Sequence, residues 1–483
     1  MSKRDSIYAF DYEDRKELER VLDEIPFLSY HMGPCVNEIL HQAQHCRGAW
    51  QGSLSAVKNF LLIGAATFEP IKDLLKTDVL SPGDSSKRHL FTSIGPKPHY
   101  RAMILNVLQR FSNREACVLS SVSLDSVQDF NRWPSQDRNA LKSGFSIVNS
   151  FQLIAYLSRC FGKVRRFASL HRLGVPFVIA IMAALANASV NVVRFRRYLE
   201  RLRPITITTE YDRVSWVAAL MVAARSLNIP TQTLQHGAIG GPCWGPLVAD
   251  HMLCWGEDPR DQLICNDDID PARIHLVGNV LLPDRLASSA SEGHHRLLLA
   301  TNPIELSQRL RETEMVAAVA TRHSKFSLTV KLHPSEKLSD YSALLASFPH
   351  VRFLDRAAGI GDALVADADV LICGNTSLGL IAMHLRIPVI LIAEQISSLG
   401  QAGYWLKQGA ALHVADYKQL DAALSEIGNR SPLIQRQLEE ASSLANRLFS
   451  AGGAAASDRI ERFIRSRVSS IANQSACARV PNC

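Results

Sequence analysis

No two cysteines stand at Cys-x-x-Cys spacing in this chain, although it has ten, so neither a disulfide framework nor a structural zinc site is indicated. A reducing compartment is expected. The N-terminus, Met1-Ser2-Lys3-Arg4-Asp5, lacks the apolar core of a signal peptide, which makes cytoplasm the default location. Long basic blocks are lacking too. The net charge of +7 is scattered except at Arg194-Phe195-Arg196-Arg197 and Arg201-Leu202-Arg203, which argues against a nucleic-acid binder and leaves open anionic ligands or the inner face of a membrane. One stretch, Leu173 to Val193, is uncharged over about the length of a bilayer core. Pro176 opens it and Asn187, Ser189 and Asn191 interrupt its far end, so a buried helix preceding a strand is expected. Internal repeats are absent.

What is present is a globular composition, 47% hydrophobic and 20% charged over 483 residues, long enough for two domains of roughly 200 residues or more. The first 60 residues carry little pattern beyond a charge-rich helical segment from Tyr12 to Ile25 and a short apolar run at 6–10. Phe60 to Gly64, Ala116 to Leu119 and Phe151 to Tyr156 are expected strands. From position 204 short apolar runs alternate with helical segments, the pattern of parallel β-α units. Strands are expected at 205–209, 231–234, 251–256 and 274–279, and after a Ser, Gly and His linker at 287–295, at 297–300, 326–330, 351–354, 369–372 and 389–392. Helices are expected at 214–227, 416–427 and 432–449. The expected domains are 1–286 and 296–450, followed by a crossover helix at 451–468 and a tail without structure at 469–483.

In open α/β sheets ligands bind beyond the carboxyl ends of the strands, and helix starts offer backbone N–H groups to phosphate. Lys331-Leu332-His333-Pro334 stands at one such strand end, with the lysine and histidine two positions apart and so on one face of the chain. Imidazole donates to a phosphate or ribose oxygen, proline fixes the turn that aims it, and ammonium adds a point charge. At a second strand end, Gly374-Asn375-Thr376-Ser377 leads into an expected helix. Its hydroxyls serve either as plain helix caps or as phosphate donors. Gln235-His236-Gly237 ends a strand of the first domain, where glycine permits close backbone approach. Glu210, with Asp212 as its rival and Asp11 and Glu69 more remote, ends the neighbouring strand. Asp367-Ala368-Asp369 spells a metal-type motif but precedes a strand and is expected to be a solvated turn.

Taken in order, Gln235-His236-Gly237, Val277-Gly278-Asn279, Lys331-Leu332-His333-Pro334 and Gly374-Asn375-Thr376-Ser377 resemble the bacterial GT-B glycosyltransferases of surface-polysaccharide synthesis. Among these the chain most resembles the sialyl- and Kdo-transferase groups whose His-Pro motif holds a CMP donor, with CDP-glycerol transferases as near neighbours. The likeness covers about residues 204 to 430. It implies an α/β fold with two Rossmann-like domains facing across a cleft, the N-terminal one binding an acceptor and the C-terminal one a nucleotide sugar. The implied activity is inverting, metal-independent sugar transfer, with the nucleotide sugar as substrate, no cofactor, and a glycan or lipid-linked acceptor.

Under this resemblance the donor contacts are Lys331, His333, Pro334, Gly374, Asn375, Thr376, Ser377 and Glu394. Glu210, His236 and His333 carry catalysis, since an inverting transferase needs a group to take the acceptor's proton. Gln235, Gly237 and Asp212 would meet the acceptor. The acidic-acidic-Gly motif of some His-Pro sialyltransferases is missing from the first half. A CDP-glycerol-type polyol-phosphate transferase and a non-catalytic glycan- or nucleotide-binding partner are the alternatives. A sugar-nucleotide epimerase would need more acid and base groups than the motifs supply.

Overall fold

The computed structural model describes residues 13–26, 32, 88–93, 98–120, 132–137, 147–170, 175–237, 239, 247–283, 294–302, 304–333, 335–355, 361–396 and 402–477. The apolar run at 6–10, the expected strand at 60–64, Asp11, Glu69, Pro334 and most of the linker lie outside them. The chain divides into two compact units: Met1–Cys254 with Pro259–Val280 and Ala454–Cys483, and Trp255–Asp258 with Leu281–Gly453.

The first unit is built on a parallel sheet of seven strands, β1 (His89–Ser93), β2 (Ala116–Ser120), β3 (Ser135–Asp137), β4 (Thr206–Thr209), β5 (Thr231–Leu234), β6 (His251–Cys254) and β7 (Ile274–Leu276). Their order is β3-β2-β1-β4-β5-β6-β7, so the winding reverses between β1 and β4, where Phe91 pairs with Thr208. After β7 the chain turns at Gly278, whose φ of 96° favours glycine.

β1 is a central strand that the sequence reading did not include. Conversely, Phe151 to Tyr156 is no strand but part of the helix Ile147–Leu170. Tyr156, Cys160, Val164 and Phe167 recur at helical spacing on its buried face, where they pack with Leu18 and Leu22 of the helix Glu13–Asp23 and with Val178, Ile181 and Leu185. The last three belong to the helix Val175–Leu202, which takes up the uncharged stretch as expected. Among the described residues no helix is long and apolar enough to cross a membrane.

The helix Gly453–Cys477 extends beyond the expected 451–468, into the segment expected to lack structure. Within the first unit Arg465 bonds Glu115 at 2.9 Å and lies over the Phe111 ring at 4.9 Å, and Arg110 pairs with Asp458 at 3.0 Å. These cross-links explain why the helix belongs to this unit.

The second unit repeats the plan with β8 (His295–Ala300), β9 (Phe326–Lys331), β10 (Arg352–Leu354), β11 (Val370–Cys373), β12 (Val389–Ile392) and β13 (Leu412–Val414). The order β10-β9-β8-β11-β12-β13 reverses between β8 and β11, the doubly wound arrangement that places ligands at the reversal. β11 and β12 are buried throughout, as strands covered on both faces must be, and this is why they read as unbroken apolar runs. Asp369 is not a solvated turn residue. Its carboxylate accepts from the Arg296 backbone N–H at 2.8 Å and from the guanidinium at 3.2 Å. Burial pushes its pKa up, but the Arg296 bonds outweigh that and leave it lowered.

Candidate functional site

In the second unit three strand ends form one edge. β8 lies between β9 and β11, so the Lys331-His333 segment and the Thr376-Ser377 turn are separated by two strand spacings, about 10 Å. The end of β8 joins them. Thr301 Oγ1 accepts the His333 backbone N–H at 2.9 Å and stands 2.7 Å from Glu336 Oε2 as its donor. Asn302 lies so close to the other loop that a Cβ on Gly374 would sit 2.0 Å from its Nδ2. A side chain at 374 would therefore displace the Asn302 amide at the reversal.

His333 is half-buried, and its Nδ1 accepts the Ser335 backbone N–H at 3.2 Å, with Ser335 Oγ at 2.8 Å. An Nδ1 that accepts leaves the neutral ring's proton on Nε2, so the imidazole is set as an Nε2–H donor. Lys331 is 7% exposed, and its ammonium donates to the Leu332 carbonyl at 2.9 Å. Burial lowers its pKa, against the opposing pull of Asp355 and Glu336. The lysine thus stands beneath the loop as a buried charge. Asn375 and Ser377 are exposed and Thr376 half-buried. The Ser377 side chain makes no cap, while Thr376 Oγ1 accepts the Leu378 N–H at 3.5 Å. Glu394, expected among the donor contacts, is exposed and pairs with Arg311 at 3.1 Å.

In the first unit Glu210 follows β4 at the reversal, as the sequence placed it, but its carboxylate is 0% exposed and takes a 3.4 Å bond from Thr92 Oγ1. A base so covered does not meet an acceptor directly. His236, after β5, is half-buried, with Tyr211 and Tyr100 edge-on at ring separations of 4.5 and 5.2 Å. The Tyr100 phenol is pushed up by burial first, then by Tyr211 and Glu210, so Tyr100 senses the carboxylate while touching the imidazole. Among the described residues, Gly237 and its chain neighbours aside, no atom lies within 4 Å of where a Gly237 Cβ would stand.

Two expected acceptor contacts are internal instead. Gln235 is 1% exposed, donating to the Gly237 carbonyl at 2.9 Å and accepting from Cys254 Sγ at 3.2 Å. Asp212 is 3% exposed, and its Oδ2 accepts from the Val248 and Ala249 amides at 2.8 and 2.9 Å. Both hold loops, because a buried polar group must be satisfied from within.

No family model and no curated protein matches the chain. Solved structures do. A putative UDP-N-acetylglucosamine 2-epimerase from Listeria monocytogenes is similar over 80% of this chain and 97% of its own, at 11% identity and a TM-score of 0.50. A second UDP-N-acetylglucosamine 2-epimerase is similar over 78% and 96%, at 14% identity and 0.50. MurG from Acinetobacter baumannii covers 78% and 99%, at 13% identity and 0.47. The chain has the GT-B fold. At these identities the likeness is one of fold, and the chemistry must come from the residues themselves.

Within this GT-B chain the residues that organise the second unit's edge escaped the sequence reading. Glu336, 5% exposed, also accepts from the Tyr341 hydroxyl at 2.8 Å and lies 3.2 Å from the Arg309 guanidinium. Thr301 and Arg309 lie in the stretch after β8 and Glu336 and Tyr341 in the stretch after β9, so no local pattern joins all four. In the first unit Arg213 is 3% exposed, and its Nε and one terminal nitrogen find no hydrogen-bond partner among the described residues.

Proposed function

We propose that this protein is an inverting glycosyltransferase that moves a sugar, an acidic one of the sialic acid or Kdo type, from a CMP donor to a surface glycan or lipid-linked acceptor. The observation that supports the proposal is the Ser335 N–H bond to His333 Nδ1, which in the neutral ring leaves Nε2–H as a donor at the carboxyl edge of the second unit's sheet, beside the strand reversal. In the reaction the acceptor hydroxyl attacks the anomeric carbon, the bond from that carbon to the donor's phosphate oxygen breaks, and the nucleotide leaves as an anion. His333 Nε2–H and the Thr376 and Ser377 hydroxyls meet that anion, with the Lys331 charge behind them, where stabilisation of developing charge counts most. We therefore write the step without a metal.

The acceptor's proton goes to His236. This revises the assignment to Glu210, which the burial of its carboxylate disfavours. Thermal shift with CMP, CDP, UDP and GDP and their sugars tests the donor. A CMP response supports the proposal, a CDP-glycerol response points to polyol-phosphate transfer, a UDP response refutes the choice of base, and no response at all leaves a non-catalytic binder. For roles, His333→Ala should abolish nucleotide binding and His236→Ala should leave binding intact and stop turnover. Turnover retained in both variants would refute the scheme.

A further inference from the structure

The first unit carries an exposed apolar face with no acidic residue near it in sequence. Between Asp137 and Glu200 the chain has no aspartate or glutamate, while Arg159, Lys163, Arg165 and Arg166 fall within the helix Ile147–Leu170. That helix buries one face, as described above, and turns the opposite one outward. Phe151, Ile154 and Phe161 recur there at spacings of three and seven, which keeps them on one side of a helix. Leu170 at its end and Val175 and Ile179 at the start of the next helix are exposed as well, and all six side chains are between 47% and 70% exposed. Among the described residues Lys163 pairs with Glu24, while Arg159, Arg165 and Arg166 are exposed and make no ion pair.

Large aromatic and aliphatic side chains at such exposure are disfavoured in water unless something covers them. A face that mixes them with arginines that make no ion pair, Glu24 beside them being neutralised by Lys163, matches one occupant in both respects: the headgroup and outer acyl region of an anionic bilayer. We infer that the helix Ile147–Leu170 and the first turns of Val175–Leu202 form a membrane-surface docking face, lying in the interface without crossing it. It is distinct from the basic run Arg194 to Arg203, where Arg194 is 5% exposed and Arg196 pairs with Glu200 at 2.8 Å. This inference goes beyond the proposed function and needs no donor or acceptor for its test.

The experiment is flotation of the full chain with vesicles of phosphatidylcholine alone and of 7:3 phosphatidylcholine and phosphatidylglycerol. Binding to the mixed vesicles, weakened by raising salt, is expected, with the pure vesicles bound at least tenfold less. Phe151→Ser with Ile154→Ser, and separately Arg165→Gln with Arg166→Gln, should each lower binding about tenfold or more. The melting temperature and nucleotide response should not change, because these side chains are exposed and lie outside the strand edges. Wild-type protein that stays unbound, or variants that bind as wild type does, would overturn the inference. So would an apolar variant that turns a dimer into a monomer without any vesicle binding, since the face would then be covered by a second copy.

Discussion

Replacing Thr301 by valine isolates the one hydroxyl that ties His333 to the buried network beneath it. Valine keeps the shape and removes the acceptor of the His333 N–H and the donor to Glu336 Oε2. A hydrogen bond to a charged group contributes about 1.5–3 kcal/mol, and a buried N–H left without an acceptor costs about 1–3 kcal/mol. The two losses share one site and are not additive, so a total of about 3 kcal/mol is expected. For a cooperative unit of about 170 residues that lowers the melting temperature by about 6–12 °C. Calorimetry should show the transition of the second unit moving while that of the first stays. Nucleotide affinity should fall as well, because His333 loses its anchor. Thr301→Ser, which gives up a methyl worth about 0.8 kcal/mol and keeps the hydroxyl, should restore most of both. A valine variant with wild-type melting and wild-type affinity would refute the reasoning.

Three further outcomes follow from other features. Gly379→Ala should destabilise the second unit by about 2–3 kcal/mol, since the new Cβ would sit 2.4 Å from the buried Trp405 ring, whereas Gly374→Ala displaces the end of the Asn302 side chain and should cost less stability but more nucleotide affinity; melting and titration of both variants check the order. The pKa of His275 is lowered to about 4 by burial first, then by His251 and Arg467, and that of His89 is lowered to about 4 by burial and Arg465. A histidine depressed in the folded state takes up protons more readily when unfolded, so the first unit should be at full stability above about pH 6.5 and lose it progressively towards pH 4. Denaturant titrations across that window check the slope, and His275→Phe should flatten it. Arg213→Met should raise stability by about 1–3 kcal/mol in ligand-free protein, because it removes a buried guanidinium with unsatisfied nitrogens; a loss of stability would show that the charge is compensated.

The second unit was legible almost strand by strand because β11 and β12 are covered on both faces and so appear as apolar runs bounded by turns, and most of β8 and β9 is buried as well. β1 failed that test. His89, Thr92 and Ser93 make up most of it, yet His89 and Thr92 are 4% and 0% exposed, since His89 has Thr206 Oγ1 at 3.0 Å and Thr92 has Glu210. The short run Leu90-Phe91-Thr92 before Gly95-Pro96 was the available signal. Phe151 to Tyr156 misled in the opposite way: six residues are too few to separate a strand from a helix, and the deciding repeat lay further on, at Cys160, Val164 and Phe167. Strand-end positions such as Glu210 and His333 could be placed from sequence alone. Their exposure could not, because the tyrosines that surround His236 and the threonine that anchors His333 come from distant parts of the chain.

The allocation of the helix Gly453–Cys477 to the first unit has a consequence for biosynthesis. A ribosome that has just delivered residue 453 has made every residue of the second unit, while the first still lacks the segment that covers Phe111, His251 and His275. The unit begun first is therefore completed last, and a nascent chain stalled there would hold a finished C-terminal half beside an N-terminal half with an open aromatic seam, the kind of intermediate that chaperones engage.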